Sequence, residues 1–518
     1  MVTFSGTSQM KSLSELQQRF LDIATDVRLS PKQKSNFLAL EAEACIPYMS
    51  ISPSLRQAMD EGIICDMFEG HAPFKPRYVL PDYAKFLLQG SEYLELLPAD
   101  DFDDALNMLT IIYHHVPSVT NIPVYLGQLD DVLLPYIGDL TENQIYKKLK
   151  HFWIMLDRTL PDAFMHVNVG PTDNIICRTI LKVDAELKQI APNLTFMYDE
   201  SVTPDDLLRQ ATQNICECSK PHIANYPVHS KAYSGSRFGI VSCYNSLLLA
   251  GGSNTLVRMN LKEVAERASD CNDFLNSVLP LYHQLMVELM DARSTHLHEK
   301  SNFFQGFLTQ EVDRVPFRTN VWHLWYGRSG EPSVRKRRPN GGAVRKRTCE
   351  CFCSCFSHTG ETSGVNPQNM VWMAKRSYML KAVLAILVTP GVRLPYGTEP
   401  DPVTYVQATA EHHQYYRAGI SDILTIDETV KSNPEAMFNL CKGGVNAGYR
   451  EFTANVASND LIRVTGYMVK LSDIAKYDAE GSRTNTTFLG AEAAKNTGIL
   501  DRSPRVVSHE MTPTYTQA

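Results

Sequence analysis

The sequence predicts an α/β chain, and three observations carry that reading. Apolar residues at helical spacing follow helix-start signals in the N-terminal half, and short β-rich runs lie between them. In addition, 44% of the 518 residues are hydrophobic against 21% charged. That balance builds a substantial core and excludes disordered and fibrous classes. The length suits one large or two to three ordinary domains. No run approaches the ~18 apolar residues of a membrane helix, and Met1 to Met10 lacks the blocks of a signal peptide. The expectation is a cytoplasmic protein. Its 12 cysteines, mostly at irregular spacings, read as free thiols.

In chain order, Ser12 and Glu15 form a capping pair ahead of Leu13, Leu16, Phe20 and Ile23, which share a helical face. Thr203, Pro204 and Asp206 start a second helix carrying Leu207, Leu208, Ala211 and Ile215, and Asn260 with Glu263 starts a third. Between these last two, Arg237 to Ser242 reads as a brief buried strand built on Phe238, Ile240 and Val241. It runs into the polar turn Cys243-Tyr244-Asn245-Ser246. Leu461 to Leu471 is β-rich and interrupted by Gly466, and the last 30 or so residues read as a polar peripheral tail. No repeat appears at solenoid periods.

The stretch 312–390 differs in character and divides the chain into 1–311, 312–390 and 391–518. Between Asp313 and Lys381 stand 13 Lys or Arg against 4 acids, in a chain of net charge -7. Trp322, Trp325 and Trp372 lie here, as do Cys349, Cys351, Cys353 and Cys355. A zinc-linked nucleic-acid-binding insert is one reading, with Arg335 to Arg338 and Arg345 to Arg347 on phosphate. Alternating cysteines, however, wrap a tetrahedron only under strain. A disordered basic loop leaves the tryptophans unexplained. Out-of-frame translation is the favoured reading: permitted codons for Leu324 to Arg338, read one base on, spell an amphipathic helical segment ending in glycine.

The most informative segment is Ile462-Arg463-Val464-Thr465-Gly466-Tyr467. A glycine in a β-rich segment is ordinarily a bulge or tight bend. Chemically, glycine also offers a Cα radical that flattens between amide nitrogen and carbonyl, unhindered by a side chain. Four further segments stand with it: Ile64 to His71, Tyr113 to Val119, Asn214 to His222 and Gly239 to Ser246. Leu394 to Pro402 follows downstream. Together, in this order, they resemble the YjjI-type family of glycyl radical enzymes over roughly residues 50 to 310 and 391 to 510. The likeness fails between, where the family pattern is helical.

The resemblance implies a ten-stranded barrel of two parallel five-stranded halves set antiparallel, surrounded by helices. It implies a radical stored on Gly466 that generates a thiyl on a cysteine, which then abstracts hydrogen from a small-molecule substrate. Cys243 is the candidate because it follows a buried strand at a polar turn. Cys216 and Cys218 come next, then Cys65 and Cys441. His71, His114, His115, Glu399 and Asp401 are candidate pocket residues, whereas His412, His413, Tyr415 and Tyr416 read as packing. No cofactor or metal is implied on the chain itself. The implied partner is a radical S-adenosylmethionine activating enzyme, with neither membrane nor nucleic acid expected and a homodimer left open. A single cysteine, with no adjacent pair and no C-terminal four-cysteine set, favours a lyase or dehydratase over an acyltransferase or ribonucleotide reductase. A frame-disrupted, inactive member of the family is the alternative.

Overall fold

The computed structural model describes residues 13–43, 50–66, 76, 78–119, 123–159, 164–241, 245–253, 256–300, 320–325, 385–388, 401–413, 423–464 and 467–480. Cys243, Gly466, His71, Glu399, the Cys349–Cys355 run and the polar tail lie outside them.

Seventeen strands fall within these residues. The first ten are β1 (Ile64–Asp66), β2 (Tyr78–Leu80), β3 (Pro123–Gln128), β4 (Phe164–Val169), β5 (Asn193–Tyr198), β6 (His222–Asn225), β7 (Phe238–Val241), β8 (Asn245–Leu248), β9 (Gly251–Ser253) and β10 (Leu256–Asn260). The others are β11 (Asn320–Trp325), β12 (Ala385–Val388), β13 (Leu424–Ile426), β14 (Glu451–Phe452), β15 (Ala454–Val456), β16 (Leu461–Val464) and β17 (Tyr467–Lys470).

The principal sheet runs β14-β6-β5-β4-β3, with β3 to β6 mutually parallel and β14 antiparallel at the edge. Its parallel strands alternate with helices Glu142–Thr159, Ile175–Leu187 and Asp205–Cys218, the βαβ pattern that places crossovers on one face. Local chemistry sets these helices. Asn174 caps the second by accepting the Cys177 amide at 2.9 Å. Pro204 and two first-turn aspartates start the third, with Leu207, Leu208, Ala211 and Ile215 buried as the periodicity predicts. Helices Leu13–Thr25 and Leu261–Ala265 also form where expected. Ser12 lies outside the described residues.

A second sheet, β1-β10-β11-β12, has three parallel strands and one antiparallel edge. It packs through Ile64, Val257 and Met259 against Met286, Leu289 and Met290 of helix Leu279–Thr295. Two of its strands lie in the atypical 312–390 stretch. No helix among the described residues is long and apolar enough to cross a membrane.

Register divides the principal sheet into two unlike faces. Val124, Met165, Val167, Val169, Leu194, Phe196, Ile223 and Phe452 point to the helices and are buried in the main core. On the other face, Tyr125, His166 and Asn193 pair across strands, as do Asn168, Thr195 and His222, with Glu451 beyond Ala224. All seven of those polar side chains are buried as well. A parallel sheet covered on both sides is ordinarily apolar throughout. A buried polar face is a departure that stability alone does not explain.

Asp130, just after β3, is buried, and its Oδ2 accepts the Gly170 amide at 2.9 Å and Asn174 Nδ2 at 3.2 Å. Burial, reinforced by the charge of Asp131, pushes its carboxyl up to about 8. A carboxyl raised on folding stabilises the fold in acid. That contribution is lost as pH rises from about 4 through about 8. Asp130→Asn is therefore expected to be more stable than wild type at pH 8 by at least about 1 kcal/mol, with the gap closing toward pH 4. Urea unfolding across this range checks it, and a gap independent of pH contradicts it.

Candidate functional site

The candidate site is the polar face of the principal sheet, together with two hairpins fastened near it. The first hairpin is β7-β8, paired from Phe238↔Leu248 to Val241↔Asn245. In sequence, residues 242–244, with Cys243 at their centre, join its strands. The strand expected over 237–242 thus forms as Phe238–Val241, whereas Asn245 and Ser246, expected in the polar turn, stand in the returning strand.

Asn168 holds this hairpin. Its Oδ1 accepts the Ile240 amide at 2.9 Å, and its Nδ2 donates to the Ile240 carbonyl at 3.0 Å. The Tyr125 hydroxyl donates to the same Oδ1 at 3.3 Å. At Gly239 an added Cβ would lie 2.5 Å from both Cζ and Oη of the buried Tyr125. Gly239 therefore permits a close approach that no larger residue allows. Gly239→Ala is expected to cost about 1–3 kcal/mol of stability through overpacking. Chemical denaturation reads this, and an unchanged midpoint and slope would show that the hairpin is free to shift.

The second hairpin is β16-β17, paired from Leu461↔Lys470 to Val464↔Tyr467. Residues 465–466, the second of them Gly466, join its strands in sequence. Asn455 of β15 holds it as Asn168 holds the first: Oδ1 accepts the Arg463 amide at 2.8 Å and Nδ2 donates to the Arg463 carbonyl at 2.8 Å. At the hairpin's base, Leu461 and Met468 pack with Ile190 and Cys218.

Three histidines with Arg463 set the electrostatics. His222 is fully buried, with Thr195 Oγ1 3.2 Å from each ring nitrogen. Burial drives its pKa well below the ordinary value, and the charges of Arg463, His166 and His229 act in the same direction. His222 is thus a neutral imidazole at neutral pH, able to donate one hydrogen bond and accept another. His229 Nε2 lies 2.8 Å from Glu451 Oε1, and both side chains are buried. The His229 ring also packs against Phe238 at the base of the first hairpin, with centroids 5.6 Å apart. The face therefore combines hydrogen-bond donors, acceptors and proton carriers shielded from bulk water.

The other candidate residues fall elsewhere. Cys216 and Cys218 end helix Asp205–Cys218 on its packed side. The Cys218 thiol donates to the Asn214 carbonyl at 3.3 Å. Burial holds both as thiols, pushing Cys216 up to about 11 and Cys218 up to about 12. Cys441 is buried inside helix Pro434–Asn446, and the same desolvation raises its pKa. Cys65 lies in β1 opposite Arg258, and nothing is described of its side chain. His114 and His115 are exposed on helix Phe102–Val119, so the pocket role expected of them is corrected to a surface position. Asp401 is likewise a helix-start residue: its Oδ1 accepts the Thr404 amide at 2.9 Å. His413 packs on Tyr449 at 4.1 Å and accepts the Arg450 amide through Nδ1, the packing role expected of it. Among the described residues no group of three or more His, Cys, Asp or Glu could hold a metal ion.

His166, Asn168, Asn193, Thr195, His222, His229 and Glu451 were not anticipated as site residues. For those on strands the signal was present, since polar residues at alternate positions of otherwise apolar strands mark one face of a sheet; His229 stands instead in helix Tyr226–Ala232.

A family model described as glycyl radical enzyme YjjI-like matches residues 29–314 and 371–505. The Escherichia coli (strain K12) uncharacterized protein YjjI is 54% identical over 508 residues, covering 97% of this chain and 98% of that protein. Among solved structures, the Roseburia inulinivorans protein of 1,2-propanediol dehydration superposes with a TM-score of 0.68 at 12% identity, covering 96% of this chain and 89% of that one. The anaerobic ribonucleotide reductase of Thermotoga maritima, with glycerol in its active site, gives a TM-score of 0.62 at 12% identity, covering 90% and 88%. At such identities these two structures speak for the fold. The family match covers most of the sequence, and the near-complete alignment with the Escherichia coli protein agrees with it: the chain belongs to the YjjI-like glycyl radical enzymes.

Proposed function

We propose that Gly466 stores the radical and that Cys243 carries the thiyl that attacks substrate, inside a ten-stranded barrel to which the principal sheet contributes. One observation carries this reading: two hairpins, each tied down by a buried asparagine, bracket these two residues beside the one buried polar sheet face described.

A radical S-adenosylmethionine activase removes one hydrogen atom from the Gly466 Cα. The glycyl radical then takes the hydrogen atom of the Cys243 S–H bond, restoring glycine and leaving a thiyl. The thiyl takes a hydrogen atom from a substrate C–H bond, re-forming the thiol. After rearrangement the product radical takes that hydrogen back. The polar face favours a lyase or dehydratase, since an elimination needs a proton delivered to a leaving hydroxyl. The buried His229–Glu451 pair is suited to moving that proton, with neutral His222 placed to hydrogen-bond a substrate oxygen.

The test is anaerobic incubation with a competent activase followed by electron paramagnetic resonance. A doublet from a single α-hydrogen is expected, and exposure to oxygen should then split the chain at Gly466. Absence of both in an activated, folded sample removes the proposal.

A second reading concerns the inner stretch. The family match stops at 314 and resumes at 371, so the unmatched part is narrower than 312–390. We read 315–370 as text out of frame with the family, which would leave this chain as written inactive. Sequencing the gene across this segment without finding compensating insertions and deletions would overturn it. A frame-restored gene separates a damaged chain from a wrong assignment.

A further inference from the structure

The two asparagine contacts share one geometry. In each, a single carboxamide accepts from the N–H and donates to the C=O of one backbone residue, at 2.8 to 3.0 Å. That is the hydrogen-bond pattern of a β-ladder rung, supplied by a side chain instead of a strand. Both asparagines are fully buried. The residues they grip occupy equivalent places: Ile240 stands three residues before Cys243, and Arg463 three before Gly466.

We propose that Asn168 and Asn455 are positioning residues that set the registration of the cysteine hairpin against the glycine hairpin, and so control hydrogen-atom transfer between them. The inference rests on the Gly466–Cys243 reading. Its physical basis is that transfer requires reacting atoms in near contact, about 3–3.5 Å, and a shift of about 1 Å is costly. A carboxamide fixes both coordinates of the gripped residue because it supplies one donor and one acceptor at once. Alanine supplies neither and leaves a buried amide and carbonyl unpaired. A carboxylate keeps the acceptor but faces the carbonyl with a second oxygen. A protonated carboxyl restores one donor and one acceptor.

The experiment needs no substrate. In activated enzyme transferred anaerobically to D2O, a thiol that reversibly exchanges hydrogen with the glycyl radical carries deuterium to its Cα, and the doublet collapses to a singlet. The readout is the rate of that collapse, relative to wild type at the same pH. For Asn168→Asp and Asn168→Ala the expected result is a doublet of near wild-type intensity that collapses at least tenfold more slowly. The Asp variant alone should recover as pH is lowered and its carboxyl protonates. For Asn455→Asp the radical itself should form in at least severalfold lower yield, because the glycine is displaced. Variants with wild-type circular dichroism that collapse at the wild-type rate overturn the inference. If Asn168→Ala fails to fold, the pH rescue of Asn168→Asp still decides, since a role in stability alone predicts no recovery of rate. A wild-type sample that gives no doublet, or a doublet that never collapses, sinks the Gly466–Cys243 reading itself.

Discussion

Gly466→Ala is expected to abolish the glycyl radical outright, leaving no doublet above baseline after activation that converts wild type fully. The radical is stabilised by spreading over the flanking amide nitrogen and carbonyl, which requires the Cα and its substituents to lie in one plane. Glycine reaches that plane with only a hydrogen to accommodate. A methyl group crowds both neighbouring peptide units and bars the planar form. Oxygen should then leave the variant as a single chain, whereas wild type releases the segment from Gly466 to Ala518. The substitution adds one methyl to a position joining two strands that, among the described residues, pair only with each other, so the fold should survive it. A doublet of wild-type intensity in Gly466→Ala would place the radical on another residue.

Cys243→Ser should separate storage of the radical from its use. The doublet should form normally, because activation needs only the glycine. Deuterium exchange into the radical should slow by more than about a hundredfold, equivalent to about 2.7 kcal/mol of barrier. An alcohol O–H bond is too strong to surrender its hydrogen to a glycyl radical, while a thiol S–H bond is close to matched. Cys216→Ser and Cys218→Ser serve as controls. Both thiols sit on the packed side of helix Asp205–Cys218, and the Cys218 thiol is engaged with the Asn214 carbonyl. They should exchange at the wild-type rate. Loss of exchange in Cys218→Ser, with Cys243→Ser unaffected, would transfer the thiyl to Cys218, which already packs against Leu461 and Met468 of the glycine hairpin.

Much of the local structure was legible in the sequence. Helix starts at Pro204 and Asn260 and the strand at Phe238–Val241 are encoded by neighbours within a few residues, so periodicity and capping reveal them. The β-rich segment 461–471 was legible as strand but not as hairpin, because a two-residue connection at Thr465-Gly466 is visible only once Val464 is seen opposite Tyr467. The polar face lay further out of reach. His166, Thr195 and His222 come from three strands separated by whole helices, and their meeting depends on a register that no local pattern specifies. His114 and His115 misled for the converse reason. Histidine is chemically versatile wherever it stands, and only the orientation of helix Phe102–Val119 reveals that these two face solvent.

The glycine hairpin pairs with no other strand among those described; β16 and β17 form a sheet of two. Lifting it away would break no rung of either large sheet among the described strands; it would break the Asn455 grip and the apolar contact at its base, and would withdraw the buried Arg463 from beside His222. It therefore has the makings of an independent cooperative unit whose opening free energy lies well below that of global unfolding. Susceptibility to activation and resistance to heat can then change separately. Substitutions beneath Leu461 and Met468 would alter how readily the leaf detaches while leaving the melting temperature of the molecule almost untouched.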